Sequence, residues 1–308
     1  MKTLIRLQTH FALQVLASFT LVAGATCAVV ADQPPEIANI SSRLLAERGD
    51  DIIVTEFAVL GTGTEYVILR ALGPSLRPFG IPNPLRDPTM TLLDERGRIL
   101  DSNDDWVDSP DKDAIIATGL APSDDREPAI VHTFSRGIYT AIVRGVRNGT
   151  GVAIAELYSL STSDETTSIS GLGTRGFVGT ADNVIISGVI ISGIGSVPVL
   201  TRALGPSLAG AGISAPLADP TLELHDANGT LIASNDNWKD TQEAEIEATG
   251  LAPDDDLESA ILATLSPGAY TAVMTGVNGA TGTGFVQFYS LANRGLELDP
   301  APIIRRQH

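Results

Sequence analysis

The string Arg70-Ala71-Leu72-Gly73-Pro74-Ser75-Leu76 recurs unchanged from Arg202 to Leu208, and this internal repeat constrains the fold more than any other feature. Asp87-Pro88-Thr89 returns as Asp219-Pro220-Thr221, and Ser102-Asn103-Asp104-Asp105-Trp106 as Ser234-Asn235-Asp236-Asn237-Trp238, all at an offset of 132. One residue is then lost, and Gly119-Leu120-Ala121-Pro122, Glu127, Tyr139-Thr140-Ala141 and Tyr158-Ser159-Leu160 return at an offset of 131. About 20 of the 37 aligned positions from Arg70 to Trp106 are identical, far too many for chance. A period of about 130 residues makes each copy a domain-sized unit and not a solenoid turn. The expected organisation is a first module over 36–160, a polar linker over 161–168, a second module over 169–292 and a tail over 293–308.

Within a copy, strand signals dominate. Thr221 to His225 alternates, Asp226-Ala227-Asn228-Gly229 turns, and Thr230 to Ala233 returns; Asn-Gly is hairpin chemistry because both residues tolerate positive φ. Tyr270 to Met274, Phe285 to Tyr289, Val184 to Ile191 and Val197 to Arg202 supply further strands. One short helix is expected per copy. Ser109 and Pro110 would open it in the first copy and Asp240 with Glu243 in the second, with Gly119 and Gly250 closing them. The fold class this predicts is all-β: two tandem antiparallel β-sandwich domains, jelly-roll-like, each with one short helix.

Residues 1–31 read as a secretory signal peptide: Lys2 and Arg6 begin it, Phe11 to Ala25 is largely apolar, and small residues follow, with cuts expected after Ala28 or Ala31. The apolar stretch is shorter than the roughly 20 residues that span a bilayer, so no membrane span is expected in the mature chain. The expected location is secreted, extracellular or periplasmic. Cys27 is the only cysteine and lies within the signal, which excludes a disulfide framework or a thiolate zinc site. A formal charge of −17 argues against nucleic acid and anionic membranes as partners.

Catalytic constellations are sparse. His132 and His225 have no counterpart in the other copy, and both read as solvated strand histidines. Gly205 to Ala209 resembles a nucleophile elbow but lacks its final glycine, so a tight turn is the simpler reading. Gly171-Leu172-Gly173-Thr174-Arg175-Gly176 matches the dinucleotide fingerprint in letters but lacks the helix that must follow. Trp106 and Trp238 read as loop anchors, and Arg70 and Arg202 as ion-pair partners of Asp87 and Asp219.

The acidic loops are the best functional candidates. Calcium takes six to eight oxygens from carboxylates, amide carbonyls and backbone. The candidate metal ligands are Asn103, Asp104, Asp105, Asp124, Asp125 and Glu127 in the first copy, and Asn235, Asp236, Asn237, Asp254, Asp255 and Glu258 in the second. No EF-hand loop is present, and solvated Asx turns would account for the same composition.

The repeated strings, together with Pro267-Gly268-Ala269-Tyr270-Thr271-Ala272, resemble a module found in tandem in large secreted bacterial proteins. The run from Thr221 to Tyr270 more distantly resembles the pre-peptidase C-terminal domain, a β-sandwich appended to secreted hydrolases. The resemblance implies a non-catalytic accessory or surface module, sometimes calcium-stabilised. The expected function is therefore secreted, non-enzymatic binding or assembly, with an exported protein or a polysaccharide as partner and the ligand-binding residues unassigned. The alternative is a metal-assisted secreted hydrolase, or an accessory module of one, using the acidic loops; Ca²⁺ is the one cofactor either reading invokes.

Overall fold

The computed structural model describes residues 35–161 and 167–292. The signal segment with Cys27, the tail over 293–308 and most of the expected linker lie outside the described residues. The first copy contributes β1 (Glu36–Ala46), β2 (Ile53–Gly61), β3 (Glu65–Leu72), β4 (Pro88–Asp94), β5 (Ile99–Asn103), α1 (Lys112–Ala117), β6 (Ala129–Phe134), β7 (Gly137–Gly145) and β8 (Gly151–Ser159). The second repeats the order as β9 (Thr167–Val178), β10 (Ile185–Ser192), β11 (Val197–Leu204), β12 (Pro220–Asp226), β13 (Leu231–Asn235), α2 (Glu243–Ala248), β14 (Ser259–Leu265), β15 (Gly268–Gly276) and β16 (Gly282–Ser290). The fold is all-β, and every pairing between these strands is antiparallel. Among the described residues no helix is long and apolar enough to cross a membrane.

The pairing does not stop at the copy boundary. One run of strands is β6-β3-β8-β1-β10-β15-β12-β13, and the other is β14-β11-β16-β9-β2-β7-β4-β5. A single pair, Leu45 with Phe177, joins the runs. Where the sequence reading sets two sandwiches side by side on a linker, the strands instead cross between copies reciprocally, β1 with β10 and β9 with β2. This is the exchange that a twofold dimer makes. The two runs pack face to face over one core cluster that draws on both copies, from Ile40, Phe57 and Leu69 to Val199, Met274 and Phe288.

The physical reason lies in the seam strands. Every residue of β2 is buried, and so is every residue of β10 except Ser192. Strands covered on both faces need neighbours on both edges as well, because an open edge leaves backbone groups unpaired. The second copy supplies those edges. Inward Ser42 meets Ser187 at 2.8 Å across the seam, and Arg43, almost wholly buried, donates from Nη2 to the Asp182 carbonyl at 2.5 Å. Asp51 and Asp50 accept from the hydroxyls of Thr283 (2.6 Å) and Ser214 (2.9 Å) in the other copy. Of the expected linker, Thr167 and Ser168 are buried in β9, paired with Gly61 and Leu60.

Local chemistry departs from expectation in three places. Helix α1 starts at Lys112 after an Asp111 cap with no side-chain bond, and the Ser109 hydroxyl instead accepts the Asp111 N–H at 3.1 Å. In α2 the Asp240–Glu243 box does not form, since Gln242 is the cap residue. The glycine stops do hold, with Gly119 and Gly250 left-handed at φ 72° and 62°. In the β12–β13 hairpin only Gly229 takes positive φ, and a bulge between Leu224 and His225 absorbs the longer loop.

Candidate functional site

In each copy the chain leaves β3 through Gly73-Pro74-Ser75, or leaves β11 through Gly205-Pro206-Ser207. A Cβ on Gly73 would lie 2.2 Å from the Leu85 carbonyl oxygen, and one on Gly205 would lie 2.1 Å from that of Leu217. Glycine is required there by close backbone approach, which explains the repeated string without any nucleophile. The turn is clamped from beneath by a fully buried glutamate. Glu127 Oε1 accepts the Gly73 N–H (2.7 Å), the Ser75 N–H (2.9 Å) and the Ser75 hydroxyl (2.6 Å). Glu258 does the same for Gly205 and Ser207, at 2.8, 3.0 and 2.5 Å. Burial pushes the Glu127 carboxyl above its ordinary range, and the bonds from Ser75 and Gly73 oppose it.

The Asn-Asp-x-Trp string is a strap over the same end. Asn103 Oδ1 accepts the Ala129 N–H at 2.9 Å, while its Nδ2 donates to the Asp105 carbonyl at 3.2 Å. Asn235 repeats this with Ala260 and Asn237, both at 2.9 Å. The tryptophan backbone N–H groups then reach the carbonyls of Glu127 (3.1 Å) and Glu258 (2.8 Å). Trp238 is 4% exposed and packs with Leu200 and Ile246, and its indole donates to the Asp255 carbonyl at 3.2 Å. Trp106 is half-buried against the Ile68–Ile115 cluster.

Two of the twelve candidate ligands enter a cluster of three carboxylates. Asp104 and Asp105 share a site with Asp87, the residue expected to pair with Arg70; one carboxylate oxygen from each of the three lies within 4.8 Å of the other two. Asp87 precedes β4 and the other two follow β5, so the hairpin register brings them together. Burial, then repulsion from Asp105 and Asp87, raises the Asp104 pKa; burial, then Asp87 and Asp108, raises that of Asp105. The second copy places Asp219, Asp236 and Asn237 at the equivalent positions. There Asp219 Oδ1 and Asn237 Oδ1 are buried atoms without a hydrogen-bond partner. Burial and Asp236 raise the Asp219 pKa.

Six of the other candidate ligands are engaged elsewhere. Asn103, Glu127, Asn235 and Glu258 hold backbone, as described. Asp124 forms an ion pair with Arg126 at 2.8 Å, and Asp255 Oδ1 accepts the Leu257 N–H at 3.0 Å. Asp125 and Asp254 fall outside the carboxylate cluster. The signal for Asp87 was present, since Asp-Pro-Thr repeats at the same offset as the Asn-Asp strap.

The repeated arginines find partners on the neighbouring strand. Arg70 Nε bonds Glu156 Oε2 at 2.5 Å, and its Nη1 reaches the Leu120 carbonyl at 2.5 Å. In the second copy position 287 is glutamine, and Arg202 donates to Gln287 Oε1 (2.5 Å), the Tyr289 hydroxyl (3.0 Å) and the Leu251 carbonyl (2.7 Å). His225 is buried, not solvated, with Nε2 2.9 Å from Glu223 Oε2 and Nδ1 3.3 Å from the Gly229 carbonyl.

No family model matches the chain, and no curated protein does. Solved structures are only remotely similar. The isomalto-dextranase of Arthrobacter globiformis, complexed with panose, shows 10% identity and a TM-score of 0.21 over 80% of this chain and 36% of that one. This chain thus spans about a third of the dextranase's length. A DUF4785 family protein of Legionella pneumophila shows 7% identity and a TM-score of 0.23, over 89% and 88% of the two chains. The VP2 subviral particle of infectious bursal disease virus shows 9% identity and a TM-score of 0.18, over 93% and 78%. Likeness at this level carries no functional information.

Proposed function

We propose that the chain is a secreted, non-catalytic binding and structural protein whose Asp87–Asp104–Asp105 cluster takes calcium. One observation carries the reading. Three polar pairs that both copies share, Glu127 with Glu258, Asn103 with Asn235 and Arg70 with Arg202, end in bonds to backbone or to neighbouring strands. What the repeat preserves is a frame. The acidic cluster is compatible with calcium, because oxygens sharing an ion at about 2.4 Å lie no more than about twice that distance apart. A cation would also relieve the repulsion that raises the Asp104 and Asp105 pKa values.

The test is thermal melting in EDTA and in about 2 mM calcium. A site of roughly 0.1–1 mM dissociation constant adds about 0.7–1.8 kcal/mol, a shift of several degrees or less in a body of this size. Asp104→Ala should abolish the rise. An equal rise in that variant, or none in the parent protein, sinks the calcium assignment.

A further inference from the structure

Four strands bound the two runs, and the structure treats them unequally. Helix α1 packs on β6 and α2 on β14. Asn103 and Asn235 take an N–H at the start of those two strands, at Ala129 and Ala260. Gln242 closes β14 further, accepting the Leu262 N–H at 3.0 Å and donating to its carbonyl at 2.9 Å. Strands β5 and β13 have no such cover: among the described residues each pairs only with its hairpin partner, β4 or β12.

These two open edges also carry exposed apolar side chains. Ile99 is 67% exposed and Leu100 37%; Leu231 is 51% exposed and Ile232 43%. The positions correspond at the repeat offset of 132, so both copies keep an apolar pair that the fold does not bury. Strand β13 has no charged residue at all, although charge is the usual protection of an open edge. Each edge strand ends at carboxylates, β5 at Asp104 and Asp105 beside Asp87, and β13 at Asp236 beside Asp219. The formal charge of −17 opposes a second copy of this chain as occupant.

Building on the binding reading, we infer that β5 and β13 are docking edges for an extended segment of a partner protein. That segment adds antiparallel, with lysine or arginine at its amino-terminal end and alternating apolar residues after it. Main-chain hydrogen bonds complete the ladder, the apolar side chains cover Ile99-Leu100 or Leu231-Ile232, and the leading cations meet the carboxylates at the strand's carboxyl end. The antiparallel sense fixes which end of the partner must be basic.

The experiment uses the full chain in EDTA and a labelled, blocked peptide of about eight residues: two lysines, then alternating threonine and valine. Fluorescence anisotropy should show binding that weakens with salt, and the reversed sequence should bind at least about tenfold more weakly. The double variant Ile99→Lys, Leu231→Lys should lose at least about tenfold in affinity with an unchanged melting temperature. Absence of binding, equal binding of both sequences, or binding indifferent to the lysines overturns the inference. Self-association of the parent chain that the lysines abolish would make a second copy the occupant and overturn it equally. A calcium shift without peptide binding sinks this inference alone, and peptide binding without a calcium shift sinks only the metal assignment.

Discussion

Glu56 offers a test of the seam that needs no ligand. It sits in β2, between Thr140 of β7 and Gly173 of β9, where the second copy closes the sheet. Burial pushes its carboxyl up to about 8, against the pull of Arg175, and its Oε2 has no hydrogen-bond partner. In the unfolded chain the same group titrates near 4.5. Between those values the folded protein holds one proton more than the unfolded chain, so stability is greatest below pH 4.5 for this group and falls as pH rises toward 8. The slope is about 1.4 kcal/mol per pH unit between the two values and eases toward each, giving about 3.5 kcal/mol from pH 5 to pH 8. Glu56→Gln keeps the shape and removes the titration. Urea unfolding of both proteins at pH 5, 6, 7 and 8 should therefore show the variant gaining on the parent steadily with pH. Comparing the two cancels other raised carboxyls such as Glu65 and Glu127. A difference that does not change with pH would refute the reasoning, because it would mean that Glu56 is solvated or that the seam opens readily.

Substitutions at Gly73, Asn235 and Glu156 test the frame. Gly73→Ala places a methyl against the Leu85 carbonyl oxygen and should cost about 2 kcal/mol or more in urea unfolding, whereas Gly97→Ala, with nothing within 4 Å but φ of 75°, should cost about 1 kcal/mol. Asn235→Ala strands the buried Ala260 N–H and frees the Asn237 carbonyl; a loss of about 1–3 kcal/mol is expected, with amide exchange at Ala260 among the most accelerated. Glu156→Gln recreates in the first copy the amide that faces Arg202, so it should cost less than Glu156→Ala, which leaves the Arg70 cation buried and unpaired at about 3 kcal/mol.

Much of the strand content was legible in the sequence because alternation and turn residues are local. Thr221–His225 and Tyr270–Met274 fall inside β12 and β15. The sharing of sheets between copies was not legible. Val184 to Ile191 reads as a strand, but nothing in that run says that its neighbour is β1, about 150 residues earlier. The same limit misplaced Arg70. Asp87 is the nearer acid in sequence, but strand register sets Arg70 directly opposite Glu156. Asp104 and Asp105 were found because loops dense in acid stand out, whereas Glu127 and Glu258 were counted as ligands because burial cannot be read from an acidic string. Their joint recurrence with Gly-Pro-Ser was the available hint that they serve that turn.

The two copies form one body across β1–β10 and β2–β9. Differential scanning calorimetry of the parent, Phe57→Ala and Phe288→Ala tests this directly, since these residues lie one in each copy and within the same core cluster. Either truncation should remove about 3–5 kcal/mol and move one shared transition to lower temperature. Two transitions, with each substitution lowering only its own, would contradict it.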